Sequence, residues 1–460
     1  MGDHKQTRRN VLLTMLVTAA FVAAPAIRAS PRQTPGDKTP AASGVTVLRF
    51  GKLWDGRKVT TDAVVVVEGD RVKSVGSGNA AVPPGAKVID LSKYYAVPGM
   101  IDAHTHITYW ADATPRPGVR PLQTSMGLST AVRVFMAQEN ARKSLEAGFT
   151  SVRDLGAQEY ADVAMRDLIN RGAMVGPRVF AAGYGLHVTN RAPRVGEVLV
   201  PTGGEANGPA EVMKAVREQI AAGADVIKMF GSVGGFDNVN TNQTFGFEEM
   251  KAAVDVAHAY GKKIAIHSYG ASGARDAARA GPDSIEHAVD IDEATLREMA
   301  ARGTVYVPTV AHNRVYWENA DWFGFAPGYA EKFKDYIDRN MDTVRRAIKA
   351  GVRIGMGSDA VFIGWGQNAR DLPLYVECGM TPEQALATVT SVNATLLPME
   401  KALGAVAPGY YADIVALQGD PLADINVVLK GVRWVMKGGQ VVVNRTETAS
   451  SSSSNVGVAK

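Results

Sequence analysis

The feature that most constrains the fold is a repeated alternation of short apolar segments and helical segments between residues 99 and 399. Such an alternation is typical of α/β proteins with a parallel sheet. The candidate strands are residues 99–104, 150–154, 178–183, 225–230, 263–267, 283–287, 304–309 and 353–358. Eight βα units over roughly 260 residues predict a (β/α)8 TIM barrel, in which functional residues lie at the carboxyl ends of the strands.

Helix boundary signals fit this alternation. A helix is predicted over residues 131–146, ending before Gly148. Another begins at Gly208 and ends near Gly223, because proline at position 209 suits the first turn and glycine suits the position after the last. A late helix begins at Thr381, where the sequence TPEQ has the pattern of a capping box.

Strand-like sequence also flanks the barrel on both sides. Residues 45–54 and 63–76 precede it, and residues 412–417 and 432–436 follow it; all are rich in β-branched residues and separated by turn residues. Neither group is large enough for a good core of its own. We therefore expect residues 45–96 and 400–445 to pair into one small β-sandwich domain beside a barrel of residues 97–399.

The chain begins with a targeting signal. Arg8 and Arg9 precede an apolar run over residues 11–24, which is the pattern of a twin-arginine signal peptide with cleavage after Ala26 or Ala29. The run is too short for a stable membrane span. We expect a signal peptide at 1–29, a disordered leader at 30–44, a disordered tail at 446–460, and a bacterial protein that is periplasmic or secreted.

Composition excludes some functions. The 50 Lys and Arg residues against 46 Asp and Glu residues give a net charge of +4 without a dense basic block, so no nucleic-acid partner is expected. Cys378 is the single cysteine, which rules out an intrachain disulfide, and we interpret its thiol as a packing group.

Histidine placement indicates the chemistry. The segment 97–106 reads VPGMIDAHTH, and His104 and His106 project from the same face because side chains alternate along a strand. His267 and His287 close the fifth and sixth candidate strands, Asp359 follows the eighth, and the remaining ligand-type residue, Lys228, lies within the fourth. Four of the 8 histidines thus fall on the barrel rim where metal ligands are expected.

This pattern resembles the amidohydrolase superfamily over most of residues 45–440. The segments IAIHSYG at 264–270 and SIEH at 284–287 resemble the branch that holds Xaa-Pro dipeptidases (prolidases), carboxypeptidases, ochratoxinase and imidazolonepropionase. The resemblance implies two divalent ions, with Zn²⁺ the expected metal. It assigns His104, His106 and Asp359 to the more buried ion and His267 and His287 to the second. Lys228, carboxylated on Nζ, would bridge the two.

The predicted reaction is hydrolysis of an amide or peptide bond. Paired ions lower the pKa of a shared water and polarise the scissile carbonyl, and Asp359 acts as general base and then as general acid. The resemblance suggests that His187 contacts the substrate carbonyl, and packing alone is its alternative. We expect Tyr184, Arg191 and His312 to contribute to substrate binding, Arg191 (or the nearby Arg194) by pairing with a substrate carboxylate.

The substrate is expected to be small and to carry a C-terminal carboxylate: an Xaa-Pro or other dipeptide, an N-acyl amino acid, or a phenylalanine amide like that of ochratoxin. Two alternatives stay open. One is a cyclic-amide hydrolase of the imidazolonepropionase type, against which Lys228 counts because that group uses one metal. The other is a metal-free scaffold of the same fold. Relatives are commonly multimers, so a homo-oligomer is expected.

Overall fold

A computed structural model describes residues 44–78, 80, 82–111, 127–189, 203–232, 243–325 and 328–446, together with the backbone of residues 194–195 and 198–199. The signal peptide predicted at 1–29, the leader up to residue 43 and the tail from residue 447 lie outside the described residues. Within the described part, no helix has both the length and the apolar character needed to cross a membrane.

Sixteen strands occur in the described residues. They are β1 (Val45–Trp54), β2 (Val59–Glu68), β3 (Arg71–Ser77), β4 (Lys87–Pro98), β5 (Met100–Thr105), β6 (Phe149–Asp154), β7 (Arg178–Ala181), β8 (Arg194–Val195), β9 (Val198–Leu199), β10 (Val226–Phe230), β11 (Lys263–Ser268), β12 (Ser284–His287), β13 (Val305–Val307), β14 (Ile414–Leu417), β15 (Val432–Lys437) and β16 (Gln440–Asn444).

Helices alternate with the strands from β5 onward. They are α1 (Thr130–Met136), α2 (Gln138–Glu146), α3 (Ala161–Asn170), α4 (Gly208–Ala222), α5 (Phe247–Ala259), α6 (Ala271–Ala280), α7 (Glu293–Arg302), α8 (Val310–Glu318), α9 (Ala320–Phe323), α10 (Tyr329–Lys349), α11 (Asp371–Glu377), α12 (Pro382–Thr388), α13 (Ser391–Ala394) and α14 (Val427–Lys430). Short 3₁₀ turns occur at Gln158–Tyr160, Phe362–Gly364 and Asn368–Arg370.

Strands from both sides of the barrel segment form one sheet of seven strands, in the order β16-β15-β14-β4-β1-β2-β3. The pair β1 and β4 is parallel and the other pairs are antiparallel. Alternate residues of this sheet, among them Leu48, Phe50, Val65 and Trp434, form a hydrophobic core separate from the largest one. Strand β4 has no counterpart in the sequence prediction; its first half is largely exposed, and its apolar residues there do not alternate regularly with polar ones.

The remaining long strands form two parallel sheets, β5-β6-β7 and β10-β11-β12-β13. Parallel registry aligns the carboxyl ends of neighbouring strands: Phe230 lies opposite His267, and Ser268 lies opposite His287. This registry brings residues far apart in sequence to one edge, because parallel strands all run in the same direction. The α/β class is therefore confirmed, whereas a closed barrel and a two-layered sandwich stay predictions.

The eighth predicted strand, residues 353–358, is not a regular strand. Ile354 forms a single parallel bridge with Tyr306 of β13, and the backbone N–H of Ala103 donates to the carbonyl of Met356 at 3.1 Å. Gly357 explains the tight fit, since a Cβ atom there would lie 2.5 Å from the Cβ of His104. The segment runs close beside β5, and this close approach requires glycine.

The helix predictions were mostly confirmed. Helix α4 ends before Gly223, whose φ of 106° is left-handed, and Thr381 caps α12 by accepting a hydrogen bond from the N–H of Gln384. The single helix predicted at 131–146 is wrong, because the structure divides it into α1 and α2 at Ala137.

Candidate metal centre

Three predicted ligands meet at the carboxyl ends of β5 and β12 and just after the 353–358 segment. One ligand atom from each of His104, His287 and Asp359 lies within 4.8 Å of the others, and all three side chains are buried. Nε2 of His104 is 3.7 Å from Oδ1 of Asp359, and Nε2 of His106 is 3.4 Å from the same oxygen. Three imidazoles therefore surround one carboxylate.

His267 and Lys228 border this group. The ring centroid of His267 lies 4.5 Å from that of His287. Lys228 is fully buried in the middle of β10, and its Nζ lies 5.2 Å from the centroid of the Phe230 ring. Burial lowers the pKa values of His104 and His287, and the charge of Lys228 lowers both further. All six predicted ligand residues thus lie in the same buried region.

The histidine rings are held through their Nδ1 atoms. Nδ1 of His104 donates to Oε2 of Glu286 at 2.7 Å, and Nδ1 of His106 donates to the carbonyl of Gly156 at 3.0 Å. Nδ1 of His287 lies 2.7 Å from Oγ1 of Thr309. A histidine that uses one nitrogen in this way presents the lone pair of the other, which is the usual arrangement around a protein-bound metal.

Burial keeps these imidazoles neutral. It lowers the pKa of His106 to about 4 and lowers the pKa values of His104 and His287 below the ordinary range. For Asp359, burial alone would raise the pKa, but the surrounding histidines, first among them His312, outweigh it and hold the pKa well below its ordinary value. Neutral imidazoles and an ionised carboxylate are the protonation states that a divalent cation requires of its ligands.

A buried ion pair behind His104 was not predicted from the sequence. Arg153 and Glu286 are fully buried, and Nη2 of Arg153 donates to Oε1 of Glu286 at 3.0 Å. Arg153 also donates to the carbonyl of Ala103 and to Oγ of Ser284, so it connects β5, β6 and β12. Burial raises the pKa of Glu286, but Arg153 and the bond to His104 lower it to about 2. Glu286 therefore stays ionised.

Asp102 joins the two segments that carry His104 and Asp359. Its Oδ1 accepts from the backbone N–H groups of His104 and Ser358, at 3.2 and 2.9 Å. Its Oδ2 accepts from the Ser358 hydroxyl and from Nδ2 of Asn368 at 2.8 Å. Asp102 lies in the 97–106 motif, yet its role depends on contacts with residues more than 250 positions away.

The predicted substrate-binding residues do not all lie at the metal centre. His312 lies beside the centre, with Nε2 at 3.4 Å from Oδ2 of Asp359 and Nδ1 donating to the Asp359 carbonyl at 2.9 Å. His187 is buried, and its Nδ1 donates to the carbonyl of Val188 at 3.0 Å. The ring of Tyr184 packs against Tyr160, with centroids 4.9 Å apart. Arg191 lies outside the described residues, so its role stays a prediction.

A recess with room for about one water molecule opens beside Asp359. His312 and Tyr316 from α8 form one wall, and Ser358 to Val361 form another. The recess places a water-sized space directly against the carboxylate.

Residues 95–442 match the model of the amidohydrolase family. The chain belongs to that family. It is 31% identical over 433 residues to the ochratoxinase of Aspergillus niger, covering 86% of both chains. It is 25% identical to an imidazolonepropionase of Streptomyces avermitilis, covering 77% of this chain and 80% of the relative. The predicted family and branch are confirmed.

Structural similarity supports the same branch. A solved Xaa-Pro dipeptidase with methionine bound in its active site superposes with a TM-score of 0.77 at 32% identity, covering 86% of this amidohydrolase and 99% of that chain.

The residues of this amidohydrolase fit a metal ion. Imidazole nitrogens and carboxylate oxygens are ligands of Zn²⁺ and related ions. The rings of His104, His106 and His287 are each held at Nδ1, so Nε2 is the nitrogen available to a metal ion. The Asp359 carboxylate lies among the three rings. The donor set and its ring orientation thus suit a divalent cation.

Proposed function

We propose that this amidohydrolase is a binuclear metal-dependent enzyme that hydrolyses an amide or peptide bond in a small substrate with a C-terminal carboxylate. The observation that carries the proposal is the convergence of His104, His287 and Asp359 within 4.8 Å, with His106 also in contact with Asp359. In this proposal the parallel sheets belong to a (β/α)8 barrel, and the seven-stranded sheet belongs to a β-sandwich domain.

Each ligand has a proposed place. His104, His106 and Asp359 would hold one ion, His267 and His287 would hold the second, and a carboxylated Lys228 would bridge them. Carboxylation converts a cation into an anionic oxygen ligand, which gives a reason for a lysine buried among histidines. Divalent ions, with Zn²⁺ the proposed metal, supply Lewis acidity and acidify water when bound.

Asp359 is the proposed proton carrier. Its low pKa makes it a carboxylate at neutral pH, ready to accept a proton from the attacking water. The same group then delivers the proton to the leaving nitrogen. His312 faces the second carboxylate oxygen at 3.4 Å and orients Asp359, while His187 is proposed to contact the substrate carbonyl.

The substrate class rests on the relatives and on the recess. An ochratoxinase and an Xaa-Pro dipeptidase are among the similar proteins, and the recess opens directly against Asp359. We include Xaa-Pro and other dipeptides, N-acyl amino acids and phenylalanine amides. Tyr184, Arg191 and His312 are the proposed substrate contacts. Twin-arginine export to the periplasm or exterior and a homo-oligomeric state complete the proposal.

Metal analysis and a substrate panel test this function. The purified protein is analysed for metals by mass spectrometry, treated with a chelator, and reloaded with Zn²⁺, while amine release is followed with each substrate class. Two ions per chain and hydrolysis that is lost and restored with metal would support the proposal. Hydrolysis of cyclic imidazolones alone would favour the imidazolonepropionase alternative. A folded protein without metal or hydrolysis would favour the scaffold.

The variant Asp359→Asn provides the matched test of proton transfer. It should lower kcat by about 10²- to 10⁴-fold, the usual contribution of a general acid–base group. Asp335→Asn, which changes an exposed carboxylate of α10 paired with Arg339, serves as the control and should leave kcat unchanged. Equal activity of Asp359→Asn and the wild type would contradict the assignment.

A further inference from the structure

A fully buried carboxylate that the proposed reaction has not used lies beside the segment that carries His106. Asp154 is the last residue of β6, and its side chain has no contact with solvent. Strands β5 and β6 pair in parallel, and Asp154 lies opposite Thr105, the last residue of β5. His106 follows Thr105 directly, so the carboxylate lies where this proposed metal ligand leaves the strand.

The pairing of β5 with β6 is irregular just before His106. The register shifts between Asp102 and Thr105, where β5 has one residue more than β6. A bulge of this kind interrupts the ladder of backbone hydrogen bonds and changes the direction of the side chains beside it. Groups outside the regular ladder therefore decide how His106 is oriented.

Asp154 binds both residues that flank His106. Its Oδ1 accepts from the hydroxyl of Thr105 at 3.0 Å and from the backbone N–H of Ile107. Both donors are buried together with the carboxylate. Because a buried N–H without an acceptor is costly, removing this oxygen would favour a rearrangement of residues 105–107.

The two residues after Asp154 complete the contact with this segment. The backbone N–H of Leu155 donates to the carbonyl of Thr105 at 2.9 Å, and the carbonyl of Gly156 accepts from Nδ1 of His106 at 3.0 Å. Gly156 has a φ of 141°, a conformation that favours glycine and sets the direction of its carbonyl. The backbone after β6 thus holds the His106 ring, while Asp154 holds the chain on both sides of it.

The two oxygens of Asp154 are used unequally. Oδ1 accepts two hydrogen bonds, whereas Oδ2 is buried and has no hydrogen-bond partner in the part of the chain that the structure describes. Burial and the nearby Asp162 carboxylate raise the pKa of Asp154 well above its ordinary range. A neutral side chain with one accepting oxygen therefore suits this position, and asparagine offers the same oxygen in nearly the same shape.

We infer that Asp154 is the positioning residue of His106, because its Oδ1 fixes the chain on both sides of the imidazole and so directs Nε2 toward Asp359. This inference rests on the proposed function, in which His106 binds a metal ion. It makes the role depend on a hydrogen-bond acceptor at Oδ1 and not on the charge of the carboxylate. Removing the acceptor should release the His106 ring and weaken binding of the ion.

The chemical reactivity of His106 tests the inference without any metal. The purified full-length protein is treated with a chelator and then with diethyl pyrocarbonate, which modifies accessible neutral imidazoles, and peptide mass spectrometry locates the modified histidines. The His106 side chain is 14% exposed, so it should react slowly in the wild type. Asp154→Ala should accelerate its modification several-fold, and Asp154→Asn should not. His258, whose side chain is 44% exposed, should react at the same rate in every variant.

Asp162→Ala is the matched control. Asp162 is a buried carboxylate of α3 that accepts from two backbone N–H groups at 2.8 Å, and none of its hydrogen bonds within the described residues reaches residues 105–107. Its loss should lower stability, as the loss of Asp154 does, but should leave the reactivity of His106 unchanged. Equal acceleration in Asp154→Ala and Asp162→Ala would indicate a general loosening of the fold and overturn the inference.

Metal affinity is the second measurement. Competition with a chromophoric chelator should show that Asp154→Ala weakens Zn²⁺ binding by about 10- to 100-fold, the usual effect of losing a group behind a metal ligand. Asp154→Asn should bind Zn²⁺ like the wild type. If asparagine weakens binding as much as alanine does, the charge of Asp154 is responsible and the inference is wrong.

A milder variant serves if Asp154→Ala does not fold. Thr105→Val removes one of the two donors and keeps the carboxylate, so it should change the reactivity of His106 and the Zn²⁺ affinity in the same directions by smaller amounts. Unchanged values of both would contradict the inference.

The reactivity measurement also separates this inference from the proposed function. A protein that hydrolyses amides while His106 reacts equally in the wild type and Asp154→Ala would overturn the inference alone. A protein that binds no metal, and in which Asp154→Ala but not Asp162→Ala exposes His106, would overturn the proposed function and still support the positioning of His106 by Asp154.

Discussion

Replacing Glu286 with glutamine tests whether the buried ion pair positions the metal ligand His104. Glu286 accepts hydrogen bonds from Arg153 at 3.0 Å, from His104 at 2.7 Å and from the Ser284 hydroxyl at 2.5 Å. All of these groups are buried, and the pKa of Glu286 of about 2 makes it a full negative charge at neutral pH. The substitution keeps the shape of the side chain and removes its charge.

Two losses are expected, and they can be measured separately. Removing one member of a buried ion pair leaves the charge of Arg153 uncompensated, which costs about 3–5 kcal/mol of the free energy of unfolding. Loss of the carboxylate behind a ligand histidine typically weakens metal binding by about 10- to 100-fold. Urea unfolding of the metal-free protein gives the first quantity. Competition with a chromophoric chelator gives the Zn²⁺ affinity.

A double variant distinguishes charge burial from positioning. In Arg153→Met combined with Glu286→Gln, the unpaired charge is gone, so most of the lost stability should return, whereas metal affinity should stay low. Glu383→Gln is the control, because Glu383 accepts a hydrogen bond from Trp54 at 3.0 Å and has no contact with His104 among the described residues. A folded Glu286→Gln protein that binds Zn²⁺ as tightly as the wild type would refute the positioning role.

Three further predictions concern other residues. Lys228→Ala should lower the bound metal from two ions to one per chain by mass spectrometry, whereas Lys263→Ala, which removes a half-buried lysine paired with Asp283 at 3.0 Å, should keep both. Burial raises the pKa of Asp371 from 3.8 to about 7, so the folded protein retains a proton that the unfolded chain releases. The contribution of Asp371 to the free energy of unfolding should therefore fall as pH rises from about 4 to 7, by up to about 1.4 kcal/mol per pH unit, and Asp371→Asn should remove that contribution in urea titrations, leaving the slope due to Asp102 and Asp162, whose pKa values burial raises to about 6. Burial raises the pKa of Cys378 to about 11, so its thiol should resist a disulfide reagent at pH 8 until urea unfolds the protein; rapid labelling of native protein would contradict this.

The sequence was sufficient to predict which residues lie at the centre. These histidines lie far apart in the sequence, but parallel strands bring their carboxyl ends to one edge, so the sequence alone places His104, His267 and His287 together. The same reasoning placed Lys228 inside a buried strand. The positions of these residues follow from strand direction and side-chain alternation, which are local properties of the chain, and their role as metal ligands stays a prediction.

The residues that orient the ligands could not be predicted in this way. Arg153 reaches Glu286 across 133 positions, and Ser358 reaches Asp102 across 256. A buried arginine and a buried glutamate on separate strands give no signal of which residue each will meet. We predicted a strand at residues 353–358 because apolar residues alternate with glycines there. The close approach of Gly357 to His104 depends instead on how the segment packs against β5, which the local sequence does not indicate.

Backbone conformation gives a separate indication that the centre is functional. His287, Thr309 and Asp359 have φ values of 72°, 48° and 48°, in the left-handed region that non-glycine residues rarely adopt. Two are proposed ligands, and the hydroxyl of the third lies 2.7 Å from Nδ1 of one of them, His287. A β-branched threonine is especially disfavoured there. Since each such residue costs of order 1–3 kcal/mol, the fold gives up stability where the ligands meet.

Substituting glycine for Thr309 would relieve the backbone and remove the hydroxyl beside His287, so it should leave stability nearly unchanged and lower metal affinity. A gain in both the free energy of unfolding and the metal affinity would show that the strained backbone has no part in holding the ligands.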